Sequence, residues 1–263
     1  GTATINEEVE PETPTTYFEE GMKAPEIIEL KKDLNKIGFG KITVTSYYGS
    51  FTTKKVAEFQ KYYGLEATGI ADESTIQKIK EVANSPHQLN KRDPANIQLK
   101  KDLNSLGFGH ITVTELYGAY SERKVKEFQE YYGLNVSGIA DDRTLEKIQE
   151  LLNTPLKEGI RRPDVIDLKK DLNAIGYGGI SLTEYFGSFT ERRIKEFQRD
   201  FHLPVTGVAD QTTINKIKEI VSTPYRLGVR DNQNIQLKKN LNTIGFGGIT
   251  VTSYYGSFTE KRV

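Results

Sequence analysis

The chain has 263 residues, of which 36% are hydrophobic and 27% are charged, and it contains no cysteine. This composition is typical of a globular protein, and it excludes disulfides, cysteine-based zinc sites and thiol catalysis. No apolar run is long enough to span a membrane, and a formal net charge of zero is not that of a nucleic-acid-binding protein, so we predict neither membrane insertion nor nucleic-acid binding.

The zero net charge combines an acidic start with a mildly basic remainder. Residues 1–20 contain six glutamates and neither Lys nor Arg, and they include the stretch NEEVEPETPTT. Such a segment has too few apolar residues to form a core, so residues 1–20 are predicted to be a solvated acidic linker. The chain starts without Met or a signal peptide, and we therefore expect it to be a piece of a longer protein.

A repeat with a period of 69 residues follows the linker. The motif LKKDLN begins at Leu30, Leu99 and Leu168, and it returns as LKKNLN at Leu237. An internal period of this kind indicates one folding unit that is copied along the chain. We predict complete repeats at residues 21–85, 90–154 and 159–223, and a partial fourth repeat at residues 228–263.

Each repeat is predicted to contain three helices, and its first helix has Leu30, Leu34 and Ile37 at the spacing of a buried stripe. Gly38 is the expected C′ residue, and a short β-branched stretch, ITVT, follows it. The second helix is predicted to begin with Thr52 as its N-cap, and Phe51 would pack on Val56 as a hydrophobic staple.

The second helix is predicted to end at Gly64, and the third to begin at an aspartate N-cap, Asp72. In the third repeat His202 replaces the glycine, and His tolerates a left-handed conformation better than most residues. Ile76 and Ile79 give the third helix its buried stripe. The predicted fold class is therefore all-α, a tandem array of three-helix bundles whose fourth repeat is truncated.

No arrangement of residues in the sequence indicates catalysis. The three histidines, His87, His110 and His202, occupy three different repeat positions, and none has a partner at metal-ligand spacing. The sequence has no nucleophile elbow, phosphate loop or zinc-protease motif. We predict no catalytic residue, no metal site and no cofactor, because the acidic residues are explained by helix capping and solvation.

The combined pattern of Gly159–Arg161, Leu168–Asn173, Gly187–Thr190, Ile194–Gln198 and Gly207–Ile214 resembles the peptidoglycan-binding domain family of bacterial cell-wall hydrolases. The resemblance covers the three complete repeats and the front half of the fourth. It implies a small three-helix bundle, which in that family is appended to an amidase, glucosaminidase or similar hydrolase and is thought to hold the enzyme on the cell wall.

Two sets of repeated residues are candidates for binding a ligand. The first is a face of the first helix, on which Ile28, Lys32 and Asn35 are four and three residues apart. The second is the aromatic pair Tyr47 and Tyr48, because aromatic rings stack on sugars and on apolar parts of peptides. The predicted ligand-binding residues are Lys32, Asn35, Tyr47, Tyr48, Lys101, Asn104, Tyr117, Lys170, Asn173, Tyr185 and Phe186.

Each set also has a structural interpretation. The helix face could pack against the next repeat, and one ring of each aromatic pair could simply cover the bundle. A recent duplication would also leave both sets unchanged between repeats.

The predicted function is non-catalytic binding of peptidoglycan or an associated cell-wall polymer, outside a bacterial cell, with avidity from the tandem repeats. The alternatives are a structural rod or matrix protein, or the targeting part of a hydrolase whose catalytic domain lies outside this sequence. The partial fourth repeat lacks the counterparts of Phe59, Ile76 and Ile79, and a bundle so incomplete cannot close alone. We expect it to pack on the third repeat or on a second chain, which would make it a site of self-association, and we expect the parent protein to continue beyond Val263.

Overall fold

The computed structural model describes residues 16–263, which contain eleven helices and no β-strand. The predicted all-α class and 69-residue repeat are confirmed, whereas most of the predicted linker lies outside the described residues. The helices are α1 (Glu26–Lys36), α2 (Ser50–Tyr62), α3 (Glu73–Ala83), α4 (Ala95–Ser105), α5 (Ala119–Tyr131), α6 (Asp142–Leu152), α7 (Asp164–Ala174), α8 (Ser188–Asp200), α9 (Gln211–Val221), α10 (Gln233–Thr243) and α11 (Ser257–Glu260).

The chain divides into two compact units. The first ends at Leu151 and holds the first two repeats, and the second runs from Leu152 to Val263 and holds the third repeat with the partial fourth. Each complete repeat has its own apolar core. In the first repeat this core contains Ile27, Leu34, Val56 and Phe59, all fully buried. Their spacing along α1 and α2 is that of amphipathic helices packed face to face.

A buried glutamine explains why the dipeptide Phe-Gln recurs in each complete repeat. The Gln60 side-chain nitrogen donates to the Ile70 carbonyl at 2.8 Å and to Thr75 Oγ1 at 3.1 Å, and its oxygen accepts from the Gly69 backbone N–H at 2.9 Å. Gln129 and Gln198 make the same three bonds. The glutamine therefore fixes the turn that leads into the third helix, and its burial is compensated by these bonds.

The predicted start of the third helix and the predicted end of the second are confirmed. Asp72 and Asp210 accept hydrogen bonds from the N–H groups of Thr75 and Thr213, both at 2.8 Å, as N-cap residues do. Gly64 has a φ of 73° and His202 has a φ of 55°, so both residues adopt the left-handed conformation that ends a helix.

The predicted start of the second helix is wrong. The helix α2 begins at Ser50, with Gly49 as its N-cap, and Thr52 is a buried residue in its first turn. This earlier start turns Phe51 outward, where 48% of its side chain is exposed, so that it does not form the predicted staple. Phe51 instead shares a helix face with Lys55, four residues later.

Residues before the predicted boundary at residue 21 also contact the first repeat. Phe18 pairs with Ala71 in an antiparallel bridge, and the Phe18 side chain is buried in the core of the first repeat. Leu156 makes the equivalent bridge to Ala209 in the third repeat. Phe18 and Leu156, three residues before Gly21 and Gly159, therefore belong to the repeat that follows them.

The partial fourth repeat has an open core. Ile244 is 67% exposed and Phe246 is 52% exposed, whereas their counterparts in the first repeat, Ile37 and Phe39, are 0% and 7% exposed. In the first repeat these two side chains belong to the apolar core that α2 and α3 help to form. In the described chain the only helix after α10 is the four-residue α11, so those contacts are missing.

Candidate functional site

An exposed aromatic ring lies opposite a basic side chain on one face of three of the four repeats. Antiparallel bridges pair Lys23 with Tyr47 and Arg161 with Tyr185, and Arg230 pairs with Tyr254 in the partial repeat. Residues paired in this way have neighbouring side chains, because their Cβ atoms project to the same side. The Arg161 guanidinium accordingly lies 5.5 Å from the centre of the Tyr185 ring. Arg92 has the same place in the second repeat, where its bridge partner is Leu116.

In the third repeat this face contains an open depression of about 320 Å³. The loop before α8 supplies Thr183 and Tyr185, the first turn of α8 supplies Phe189, and α7 supplies Lys169 at the base. The remaining lining residues are Gly179, Ile180, Ser181, Gly187 and Thr190. Concave sites with aromatic walls and a few polar groups are the usual form of ligand sites.

A second exposed aromatic ring recurs at one position in every repeat, and in the third repeat it lines the depression. Phe189 is 38% exposed, and its ring lies 5.0 Å from the Arg193 guanidinium and 5.4 Å from that of Arg192. The counterparts of Phe189 are Phe51, Tyr120 and Phe258, and each is exposed beside at least one Lys or Arg. An exposed ring with a cation beside it therefore occupies the same position in each of the four repeats.

A buried lysine at the base of the site also recurs in every repeat. Lys31, Lys100, Lys169 and Lys238 are between 2% and 4% exposed. The Lys169 ammonium donates to Thr183 Oγ1 and the Thr183 carbonyl, both at 3.0 Å, and to the Tyr185 carbonyl at 2.6 Å. The lysine thus fixes the backbone of the loop that carries the exposed tyrosine.

No carboxylate lies within ion-pair distance of these four ammonium groups in residues 16–263, and their hydrogen-bond acceptors are neutral. Burial lowers the pKa of each of the four lysines, because desolvation disfavours the charged form. The nearby charge of Arg161 lowers the pKa of Lys169 further. The base of the depression is therefore electropositive.

A glycine lets the exposed tyrosine lie close to the backbone. A Cβ atom at Gly187 would be 3.2 Å from the Tyr185 ring, and one at Gly256 would be equally close to Tyr254. A Cβ atom at Gly49 would be 3.3 Å from the Tyr47 ring. A Cβ atom at Gly118, in the repeat with Leu116, would meet no atom within 4 Å. The glycine therefore makes room for the ring where a ring is present.

The structure separates the two members of the predicted aromatic pair. Tyr47 and Tyr185 are 44% and 42% exposed and stand beside the site, and their contact with a ligand stays a prediction. Tyr48, Tyr117 and Phe186 are fully buried, so the prediction that these three rings contact a ligand is wrong. They fill the bundle core, and the two tyrosine hydroxyls donate to the carbonyls of Gly69 and Gly138 at 2.7 Å.

The predicted helix face is only partly available to a ligand. Lys32 is exposed and pairs with Glu29 at 2.8 Å, and Lys170 pairs with Asp167 at 3.7 Å; Lys101 is also exposed. Asn35 holds the Ile42 backbone through both atoms of its amide, at 2.9 Å each. Asn104 and Asn173 make the same pair of bonds, so holding this loop in place is enough to explain why an asparagine recurs here. Ligand contact by this helix face stays a prediction.

Sequence reasoning missed the buried lysine and the second ring, although the sequence contains a signal for each. Ile27, Lys31 and Leu34 are four and three residues apart, which places the lysine on the buried stripe of α1 rather than beside it. Phe51 precedes Lys55 by four residues, which places that ring on a polar face. The recurrence of Lys31 in every repeat did not show which of the two lysines is buried, because Lys32 recurs equally.

Other kinds of site are not found in residues 16–263. No three His, Asp or Glu side chains there come together as metal ligands, and no described helix has the length and apolar character of a membrane span. His87 is buried and bonds to Asn96 Oδ1 at 2.7 Å, which gives it a structural contact.

Comparison with known families agrees with the repeat pattern. The sequence profile of the peptidoglycan binding domain matches three times, at residues 23–79, 92–148 and 161–217, and so covers more than half of the chain. The matched domain is a binding domain and is itself non-catalytic. No curated protein matches the chain. Each match begins at the basic residue of the aromatic face, Lys23, Arg92 or Arg161.

Proposed function

Because the chain belongs to the peptidoglycan-binding domain family, in which binding of cell-wall polymer is the general role, we propose that it attaches to the bacterial wall through the faces of its repeats that carry the exposed aromatic rings. The observation that carries the proposal is a recurrence. In each repeat that matches the family, an exposed ring, a basic rim residue and a buried lysine lie at the same place. Exposed aromatic faces stack on sugar rings, and open sites of this size suit weak binding of one segment of a long polymer.

We further propose that tandem copies give the chain its affinity. Linked weak sites act on one insoluble polymer at a high effective concentration, so binding strengthens without any new contact. In this role the array works outside the cell and anchors whatever it is joined to. A chain with the third repeat alone is then expected to bind far more weakly than the full chain.

The test is sedimentation of the purified protein with isolated cell-wall sacculi, together with an assay for released reducing sugar and free amine. We expect the protein to sediment with the sacculi and to release neither product. Protein that stays in the supernatant at low salt would contradict the binding proposal, and released product would contradict the non-catalytic role.

A matched pair of variants locates the binding face. Tyr47 and Tyr185 are 44% and 42% exposed at the site, and Tyr17 and Tyr225 are 44% and 41% exposed elsewhere. We expect Y47A/Y185A to weaken binding to sacculi and Y17A/Y225A to leave it unchanged. Equal effects of the two double variants would contradict the location.

A further inference from the structure

The depression has an unused hydrogen-bond donor directly in front of its buried positive charge. In each repeat the lysine ammonium donates to a threonine hydroxyl, with distances between 2.9 and 3.1 Å. The four threonines are Thr45, Thr114, Thr183 and Thr252, and all are exposed. A hydroxyl that accepts from an ammonium is polarised, and its own hydrogen becomes a stronger donor.

None of these four hydroxyls donates to another group within residues 16–263. Thr183 Oγ1 accepts from Lys169, and Thr183 lines the depression, so its free hydrogen is available to a molecule bound there. A hydroxyl is both donor and acceptor, and only its acceptor function is used by the protein. An oxygen acceptor on a ligand would complete the arrangement.

The charges around the hydroxyl favour an acceptor that is negatively charged. A buried ammonium is normally compensated by a carboxylate, and here the acceptors are neutral in all four repeats. The rim adds Arg161, or Lys23, Arg92 and Arg230 in the other repeats, and none of these makes an ion pair in the described part of the chain. The site thus has positive charge from both its base and its rim.

We propose that this site in each repeat binds an oxyanion that lies next to a sugar in the wall polymer. The threonine hydroxyl donates to the oxyanion, and in the three repeats that have it the exposed tyrosine stacks on the sugar. This inference rests on the proposed function and specifies the chemistry of its ligand. The oxyanion is a carboxylate of the peptidoglycan or a phosphate of a wall teichoic acid, since both offer charged oxygen atoms next to a saccharide. Charge-assisted hydrogen bonds are the stronger kind, so this contact is expected to dominate each site.

The first test changes only the hydroxyl. We expect T45V/T114V/T183V/T252V to bind sacculi at least about 10-fold more weakly, and the four matched Thr→Ser changes to stay within about 2-fold of the unchanged chain. Circular dichroism is recorded for each variant to show that it is folded. Unchanged binding by the folded valine variant would overturn the inference.

The second test changes the rim charge and serves even if the valine variant fails to fold. K23Q/R92Q/R161Q/R230Q removes four exposed cations at the sites, and K61Q/K91Q/K157Q/R199Q removes four exposed cations elsewhere. We expect the first variant alone to lose affinity and to show a weaker salt dependence. Equal loss in both variants would mean that only the overall charge matters, and it would overturn the inference.

The source of the oxyanion is found with modified sacculi and the unchanged chain. One sample is stripped of teichoic acids, and another has its carboxylates converted to neutral amides. Loss of binding to the first assigns a phosphate, and loss of binding to the second assigns a carboxylate. Full binding to both overturns the inference and leaves the proposed wall binding intact, whereas no binding to any sacculus contradicts the proposed function itself.

Discussion

The side-chain amide of Asn135 in the second repeat donates a hydrogen bond of 2.7 Å to the backbone carbonyl of Ile37 in the first. Three other contacts cross the same junction. Lys78 pairs with Asp142 at 2.7 Å, the Tyr63 hydroxyl donates to Asp141, and Ile139 is buried in the core of the first repeat. The first two repeats are therefore packed together by specific contacts in one compact unit.

The third repeat has Pro204 and Gln211 at the positions of Asn135 and Asp142, which supplies a natural pair of substitutions. We expect N135P/D142Q to remove the hydrogen bonds that Asn135 donates to the Ile37 carbonyl and the Tyr62 hydroxyl, together with the ion pair between Lys78 and Asp142. Hydrogen exchange should then be about 10-fold faster at residues 60–64 and 136–141. E66P/E73Q makes the same changes in the first repeat and should leave that exchange unchanged. Equal exchange in the two variants would contradict the role of these contacts.

The neighbouring lysines of α7 should differ in their effect on stability. Lys169 is buried and bonds to the loop, so K169M is expected to lower the free energy of unfolding by about 1–2 kcal/mol, because the Tyr185 carbonyl loses its donor. Lys170 is exposed, and K170M is expected to change the free energy of unfolding by less than about 0.5 kcal/mol. Urea denaturation followed by circular dichroism measures both, and a larger loss for K170M would refute the assignment.

Alkaline pH should destabilise the first two repeats through their buried tyrosines. Burial raises the pKa of Tyr48 and of Tyr117 above the ordinary value near 10. The contribution of each tyrosine is present below about pH 10 and is lost as pH rises further, since the unfolded chain then releases a proton that the folded chain keeps.

Phe186 shows that this position accepts a ring without a hydroxyl. The variant Y48F/Y117F should be less stable at neutral pH, by about 1 kcal/mol for each lost hydrogen bond, and should lose less stability between pH 9 and about pH 11 than the unchanged chain. Thermal melting across this range makes the comparison, and the buried lysines affect both proteins alike. Parallel pH curves for the two proteins would show that these tyrosines do not contribute.

The second repeat offers a gain of binding, because Leu116 stands where Tyr47 and Tyr185 stand in its neighbours. We expect Leu116→Tyr to strengthen binding to sacculi by about 2- to 10-fold, since an added aromatic contact contributes about 0.5–1.5 kcal/mol. Val136→Tyr, at a position that is 46% exposed in the same repeat, is the control and should have no effect. An equal gain from both substitutions would indicate nonspecific binding of an added tyrosine and would contradict this prediction.

The open core of the fourth repeat should show in hydrogen exchange. The amides of α10 are expected to exchange faster than those of α1, because Ile244 and Phe246 are exposed whereas Ile37 and Phe39 are buried. Slower exchange of residues 232–263 at higher protein concentration would support the predicted self-association. Exchange that is equal in α10 and α1 in dilute protein would contradict the open core.

The sequence by itself determined the repeat, the family and most of the helix ends. The period of 69 residues is explicit, the capping residues Asp72 and Asp210 act through local hydrogen bonds, and Gly64 and His202 set the backbone by their own conformational preference. These features depend on residues close in the chain, so local physical chemistry is enough to predict them.

Only the tertiary structure decided which of two adjacent, equally recurrent residues turns inward. Tyr48 is buried and Tyr47 exposed, and Lys31 is buried and Lys32 exposed. The choice depends on where α2 begins and on a loop folded back over α1, which brings Tyr47, Thr45 and Lys31 together across more than ten residues of chain. A one-residue change of phase exchanges core and surface, and packing against distant residues fixes that phase.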